Sequence, residues 1–119
     1  MILAILSACS EKPALSTQAT NNPVTIQVES EPNPPTMGDV EFVLTILDDQ
    51  GQPFEGAVVD VAVDHIDMRG MEMNAMATQQ SPGKYAITAN FSMTGNWEMT
   101  VIVRKDGFEY QEVFSLKVQ

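Results

Sequence analysis

The sequence predicts an all-β domain, an immunoglobulin-like antiparallel β-sandwich of about seven strands. Apolar residues alternate with polar ones along several short runs, and turns rich in Gly, Pro and Asp separate those runs. No window of a dozen residues outside one methionine-rich stretch shows helical periodicity. Short strands joined by turns, without helices, pack most simply as two antiparallel sheets. A small barrel built from the same strands stays open as an alternative.

The first two strands are separated by a proline-rich crossing. Val24, Ile26 and Val28 alternate with polar residues, as expected for a half-buried strand. The segment Glu31–Pro35 cannot continue a sheet, because its prolines lack the N–H donor. A second strand is predicted over Val40–Leu47, where the apolar residues are again in phase.

The remaining strands follow from the same pattern. Turn chemistry over Asp48–Pro53 leads into a third strand, Ala57–His65. A predicted turn over Gln79–Gly83 precedes a fourth strand that ends at Phe91. Two final strands flank Asp106–Gly107, a dipeptide typical of tight hairpins. The residues predicted to face inward on these strands are Val59, Val61, Val63, His65, Tyr85, Ile87, Ala89, Phe91, Trp97, Met99, Val101, Val103, Phe114, Leu116 and Val118.

The N-terminal residues have the pattern of a truncated lipoprotein signal peptide. An apolar run, Met1–Leu6, leads into Leu6-Ser-Ala-Cys9, and polar residues follow. An apolar residue, two small residues and a cysteine form a bacterial lipobox, whose cysteine is lipidated. We therefore expect a signal over 1–9 with lipidation at Cys9, a flexible tether over 10–22 and the folded domain over 23–119. The alternative is a frayed apolar N-terminus with a free thiol.

Composition restricts the partners. The chain has 119 residues, which is enough for one domain, and a formal net charge of −10. Six Lys and Arg cannot neutralise a run of phosphates, so nucleic acid is not an expected partner. The acidic residues are dispersed and lack the spacing of a calcium loop. We expect an extracytoplasmic, monomeric domain that the lipid anchor holds at the cell membrane.

One stretch carries a possible metal site. Four of the eight methionines, Met68, Met71, Met73 and Met76, closely follow His65, the only histidine. Soft, neutral thioethers beside an imidazole favour Cu(I) over hard cations, and they need no deprotonation. Met71 and Met73 point to the same side of an extended segment, and Gly70 permits a bend that returns Met68 or Met76 toward them. The sequence therefore predicts Cu(I) binding, with these five residues as candidate ligands.

Two other interpretations of this stretch stay open. Methionine fills irregular cores, and His65 fits a buried strand end where a backbone carbonyl accepts its N–H. Met93 and Met99, on or beside strands, are expected in the core or at its edge. Alternatively, the methionines form an apolar patch that docks on an envelope protein partner without any metal.

Catalysis is not expected. The chain has one histidine, no thiol beyond Cys9 and no G-x-S-x-G motif, so no nucleophile and base can be paired. The sixteen acidic residues offer many spatial pairs, but the sequence favours none of them.

The segment from about Pro23 to Val118 resembles the YtkA-like domain, which is grouped with FixH-type proteins. The matching pieces, in order, are Glu29–Pro35, Asp49–Ala57, Met68–Met73, Ser81–Tyr85 and Phe91–Val101. The resemblance implies an immunoglobulin-like fold, export or membrane attachment, and a setting linked to copper handling or oxidase assembly. The chain departs from the family pattern at Asp67-Met68, where a Met-Pro pair is more usual, and in lacking the membrane helix of the FixH-type proteins.

Overall fold

The computed structural model describes residues 23–68 and 70–119, which form seven strands. The strands are β1 (Val24–Glu31), β2 (Gly38–Asp48), β3 (Val58–His65), β4 (Met73–Ser81), β5 (Lys84–Phe91), β6 (Gly95–Lys105) and β7 (Phe108–Val118). The prediction of an all-β fold with about seven antiparallel strands is confirmed. The predicted lipobox with Cys9 and the predicted tether lie outside the described residues. Among the described residues, no helix has the length and apolar character that crossing a membrane requires.

The strands form one continuous sheet in the order β1-β2-β5-β4-β3-β6-β7, and every neighbouring pair is antiparallel. Strand β4 joins the two halves. Its first part, from Met73 to Ala77, pairs with β3, whereas Thr78 to Ser81 pair with β5. Because the sheet turns at β4, the arrangement is closer to a small barrel than to two separate sheets.

Strand β4 also corrects a prediction. The sequence predicted a turn over Gln79–Gly83, but β4 continues to Ser81 and the turn is confined to Pro82 and Gly83. Seven of the nine residues of β4 are exposed, and only Ala77 is buried, so no apolar alternation marks the strand. Its ladders to β3 and β5 stabilise it instead, which illustrates how context overrides strand propensity.

A row of edge-to-face ring contacts crosses the core. Phe42 on β2 contacts Phe91 on β5, with ring centroids 6.0 Å apart. Phe91 contacts Trp97 on β6 at 5.0 Å, and Trp97 contacts His65 on β3 at 4.8 Å. Aromatic pairs in this geometry each contribute about 0.5–1.5 kcal/mol beyond their burial. The row therefore connects the two halves of the sheet and ends at His65.

Three connections meet at one end of the sheet. Gly38 pairs with Phe91, and His65 pairs with Trp97, so the β1–β2, β3–β4 and β5–β6 connections all lie at the same end. We call it the His65 end. At the opposite end, the Tyr85 hydroxyl donates to the Phe54 carbonyl at 2.8 Å and accepts the Ala57 N–H at 3.1 Å, which fixes the β2–β3 connection.

Gly83 provides a test of packing at that opposite end. A Cβ at Gly83 would lie 2.9 Å from the Pro53 Cβ and 3.0 Å from the Ile46 carbonyl oxygen. Gly51 has a similar φ, +79° against +75°, but no atom lies within 4 Å of its Cβ position. Both alanine variants carry the left-handed penalty of about 1–2 kcal/mol. We expect Gly83→Ala to lose about 1–3 kcal/mol more through the steric clash. Urea unfolding measures this difference, and equal losses in the two variants would contradict the contact.

Candidate metal site

His65 is buried at the end of β3, with 3% of its surface exposed, and both ring nitrogens have partners. Nε2 lies 3.1 Å from the carbonyl oxygen of Thr94, which can only accept. Nδ1 accepts the backbone N–H groups of Asp67 at 3.2 Å and Met68 at 3.1 Å. Because two donors face Nδ1 and an acceptor faces Nε2, the ring is the neutral tautomer with the proton on Nε2.

The β5–β6 connection is shaped to receive this ring. Gly95 has a φ of +121°, and a Cβ there would lie 2.9 Å from His65 Nε2. Trp97, which packs against the imidazole, donates its indole N–H to the Met93 carbonyl at 3.1 Å. The backbone of this connection is therefore hydrogen-bonded to both rings at successive carbonyls, those of Met93 and Thr94.

The hydrogen bonds of both ring nitrogens determine whether His65 can bind a metal in this conformation. A metal ligand needs a free lone pair on one nitrogen, whereas the Nδ1 lone pair accepts two amides and Nε2 carries a proton. Coordination by His65 would therefore require the start of the β3–β4 connection to open. His65 occupies the inward position that the strand alternation predicted, with a backbone carbonyl accepting its N–H.

The structure divides the four predicted methionine ligands between two surfaces. Met68 in the β3–β4 connection is 50% exposed, while Met71 and Met73 are partly buried against the core. Gly70 has the positive φ, +104°, that the predicted bend requires. Met76 is different. It is 61% exposed and lines an outer groove with Asp60, Ala62 and Ile102.

Strand geometry explains this division. Successive side chains of a strand point to opposite faces, so Met73 and Ala77 share the core face of β4 while Met76 lies on the outer face. The sequence predicted a single loop over Met68–Met76 that a bend at Gly70 could fold together. The strand begins at Met73, so only the first three of the four methionines are at the His65 end, and of these Met71 and Met73 pack against the core.

An apolar cleft lies beside Met73, where β4 and β5 diverge. Its volume is about 140 Å³, and its lining includes Met73, Phe42, Val63 and Ile87. The cleft shows that Met73 is not enclosed on all sides.

In sequence, the β3–β4 connection is only weakly negative, because Asp67 and Glu72 outnumber Arg69, and its acidic residues are not arranged as a hard-metal site. Asp67 and Glu72 are exposed in the β3–β4 connection. Within residues 23–68 and 70–119, no three side chains of His, Cys, Asp or Glu come together as a metal-binding group. The acidic residues can therefore attract a cation toward the methionines, and soft sulfur atoms are the donors that the described residues offer there.

These observations define an all-β domain of seven antiparallel strands with a methionine-bearing connection at one end. The YtkA-like family matches residues 18–102, and this chain belongs to that family. The fold is similar to the crystal structure of the PmoD soluble domain from Methylocystis sp. ATCC 49242 (Rockwell), with a TM-score of 0.55 and 15% identity over 81% of this chain and 90% of that chain. A comparison with curated proteins found no match.

The histidine network predicts one tautomer in solution. Since the chain has a single histidine, long-range ¹H–¹⁵N spectra of the imidazole can be assigned without ambiguity. We expect the pattern of the neutral Nε2–H form, because Thr94 accepts from Nε2 and two amides donate to Nδ1. Alanine at Gly95 should disturb this pattern, whereas alanine at Gly70, which has open space around its Cβ position, should leave it in place. A protonated Nδ1 in the unchanged protein would contradict the network.

Proposed function

We propose that this protein is a non-enzymatic, extracytoplasmic domain of the cell envelope that binds Cu(I) through the thioethers of Met68, Met71 and Met73. The observation that carries the proposal is the placement of these three residues at the His65 end, in and next to one short connection. Membership of the YtkA-like family supports a setting linked to copper handling, as the sequence resemblance implied. Lipidation at Cys9 would hold the domain at the membrane.

The donor chemistry favours Cu(I) over other cations. Thioethers are soft and uncharged, so they bind soft cations and leave hard cations to carboxylates and water. They also need no proton loss, so their binding does not depend on the pH in the way that thiolate or imidazole binding does. Outside the cytoplasm, thioethers have a further advantage over thiols, because thiols there form disulfides.

Burial and charge fit a site that exchanges its ion. Met68 is half exposed, so a molecule that delivers or accepts the ion can reach its side chain, while Met71 and Met73 are partly shielded by the core. A formal net charge of −10 raises the local concentration of cations around the domain. The acidic Asp67 and Glu72 add to this attraction close to the methionines without serving as ligands of a soft ion.

A competition titration tests the proposed function. The full chain with Cys9→Ser is titrated with Cu(I) against a chelator, because a free thiol would bind Cu(I) and mask the thioethers. We expect the protein to bind Cu(I), and we expect the affinity to fall about tenfold or more in Met71→Leu/Met73→Leu. Loss of a metal ligand should lower the affinity at least as much as loss of a residue that only supports a ligand. Leucine keeps the apolar volume, so stability should change little.

The matched control for this titration is Met76→Leu, which makes the same exchange on the outer face of β4. We expect it to leave the affinity unchanged. A protein that does not compete for Cu(I), or an affinity that the double variant leaves unaltered, would refute metal binding by these methionines.

The second candidate function is an interaction module without metal, and the exposure of Met76 favours it. Met76 is 61% exposed beside Ala62 and Ile102 in a shallow groove on the outer face. Exposed apolar side chains that lie together often mark protein contacts.

Photo-crosslinking in the envelope distinguishes this second function. A crosslinker at position 76 should yield a discrete adduct with a partner, whereas one at position 113 should not. Val113, on β7, is 50% exposed and serves as the comparison. The same adducts at both positions, or none at position 76, would argue against a docking surface around Met76.

A further inference from the structure

Two connections at the His65 end are tied to the same pair of rings. On one side, the Met68 N–H donates to Nδ1 of His65 at 3.1 Å. On the other side, the Trp97 indole N–H donates to the Met93 carbonyl at 3.1 Å. His65 and Trp97 are themselves in contact, with ring centroids 4.8 Å apart. The backbones of Met68 and Met93 are therefore held across one edge-to-face ring pair, although 24 intervening residues separate them in the chain.

Met93 has the properties of the methionines already proposed as ligands. It lies in the β5–β6 connection at the His65 end, and it is partly buried against the core, as Met71 and Met73 are. Its neighbour Thr94 is bonded to His65, and Gly95 allows the close approach of the imidazole. Met93 was predicted in the core or at its edge because it lies on or beside a strand. Partial burial at the same end of the fold also leaves it able to bind.

We propose that the Cu(I) site spans both connections, with Met93 as a further thioether ligand beside Met68, Met71 and Met73, and that His65 is a positioning residue and not a ligand. This inference rests on the proposed function. It assigns the imidazole a supporting role: Nδ1 holds the start of the β3–β4 connection, and Nε2–H holds the β5–β6 connection. Supporting residues of this kind orient metal ligands, and their loss typically weakens metal binding 10–100-fold.

The supporting role and a ligand role predict different results for His65→Asn. The asparagine side-chain oxygen can accept the loop amides in place of Nδ1, but a neutral amide is a poor ligand for a soft ion. Asparagine keeps the hydrogen bonds to the loop amides and loses only the bond from Nε2–H to Thr94, whereas phenylalanine loses both. If His65 is a positioning residue, Cu(I) binding should therefore survive asparagine far better than phenylalanine. If His65 is instead a ligand, neither the asparagine nor the phenylalanine variant should retain the Cu(I) affinity of the parent.

The first test uses the metal-free full chain with Cys9→Ser and ¹³C-labelled methionine methyl groups. We expect a nuclear Overhauser effect between the methyl groups of Met68 and Met93, and none from either to Met76 on the outer face. Absence of the Met68–Met93 contact would overturn the inference, whatever the Cu(I) titration shows.

The second test repeats the Cu(I) competition titration with Met93→Leu, His65→Asn and His65→Phe. We expect Met93→Leu to weaken binding about tenfold or more, His65→Asn to stay within about threefold of the parent, and His65→Phe to lose about tenfold or more. Copper X-ray absorption of the loaded parent should show sulfur neighbours without imidazole scattering. Folding of each variant is checked by far-UV circular dichroism, and the methyl contact carries the decision where His65→Phe does not fold.

The outcomes separate the inference from the proposed function. If the parent binds Cu(I) and Met71→Leu/Met73→Leu weakens it while Met93→Leu does not, the proposed function stands and the two-connection site fails. Imidazole scattering, or loss of binding in His65→Asn, would likewise overturn the positioning role. If the parent does not bind Cu(I), the proposed function itself fails, whatever the methyl groups show.

Discussion

The hydrogen bonds of His65 are the interaction on which the methionine-bearing end of this domain depends. The ring lies 3% exposed at the end of the aromatic row from Phe42 through Phe91 and Trp97, so the core positions it. Its two nitrogens then satisfy polar groups from two connections, where a buried unpaired amide or carbonyl would cost about 1–3 kcal/mol. One side chain thus helps to fix two connections, together with the Trp97 indole N–H that donates to the Met93 carbonyl.

Most of the fold could be predicted because, in most strands, the alternation of apolar and polar residues shows which side chains are buried. In the middle of β2, β3 and β6, every second residue is buried, and all of these buried residues except His65 are apolar or aromatic. Strand β4 could not be predicted in this way, because its inner positions include small alanines and its partners change from β3 to β5 partway along. The hydrogen bonds that define β4 come from β3 and β5, the strands before and after it in the chain, and the alternation within β4 itself does not reveal this pairing.

The positions of the candidate ligands could not be predicted from their spacing, because the sequence did not reveal strand β4. Spacing alone treated Met68, Met71, Met73 and Met76 as equivalent, whereas a strand beginning at Met73 places Met76 on the opposite face. His65 was predicted both as a ligand and as a buried strand end, and only its neighbours Thr94, Asp67 and Met68 show which nitrogens are occupied. The closeness of Met93 to this network depends on the pairing of β3 with β6, which brings Trp97 opposite His65.

In the proposed Cu(I) site, flexible methionine side chains on a fixed backbone would affect both binding and release of the ion. Fixing the backbone at Met68 and Met93 lowers the entropy lost when thioethers converge on an ion, which favours binding. The side chains themselves keep three rotatable bonds, and Met68 is half exposed, so a donor from another molecule can displace one thioether at a time. A buried imidazole ligand would bind more strongly but would have to leave a closed core. If the proposed site binds Cu(I), a fixed backbone with mobile thioethers would therefore suit transfer of the ion better than its permanent retention.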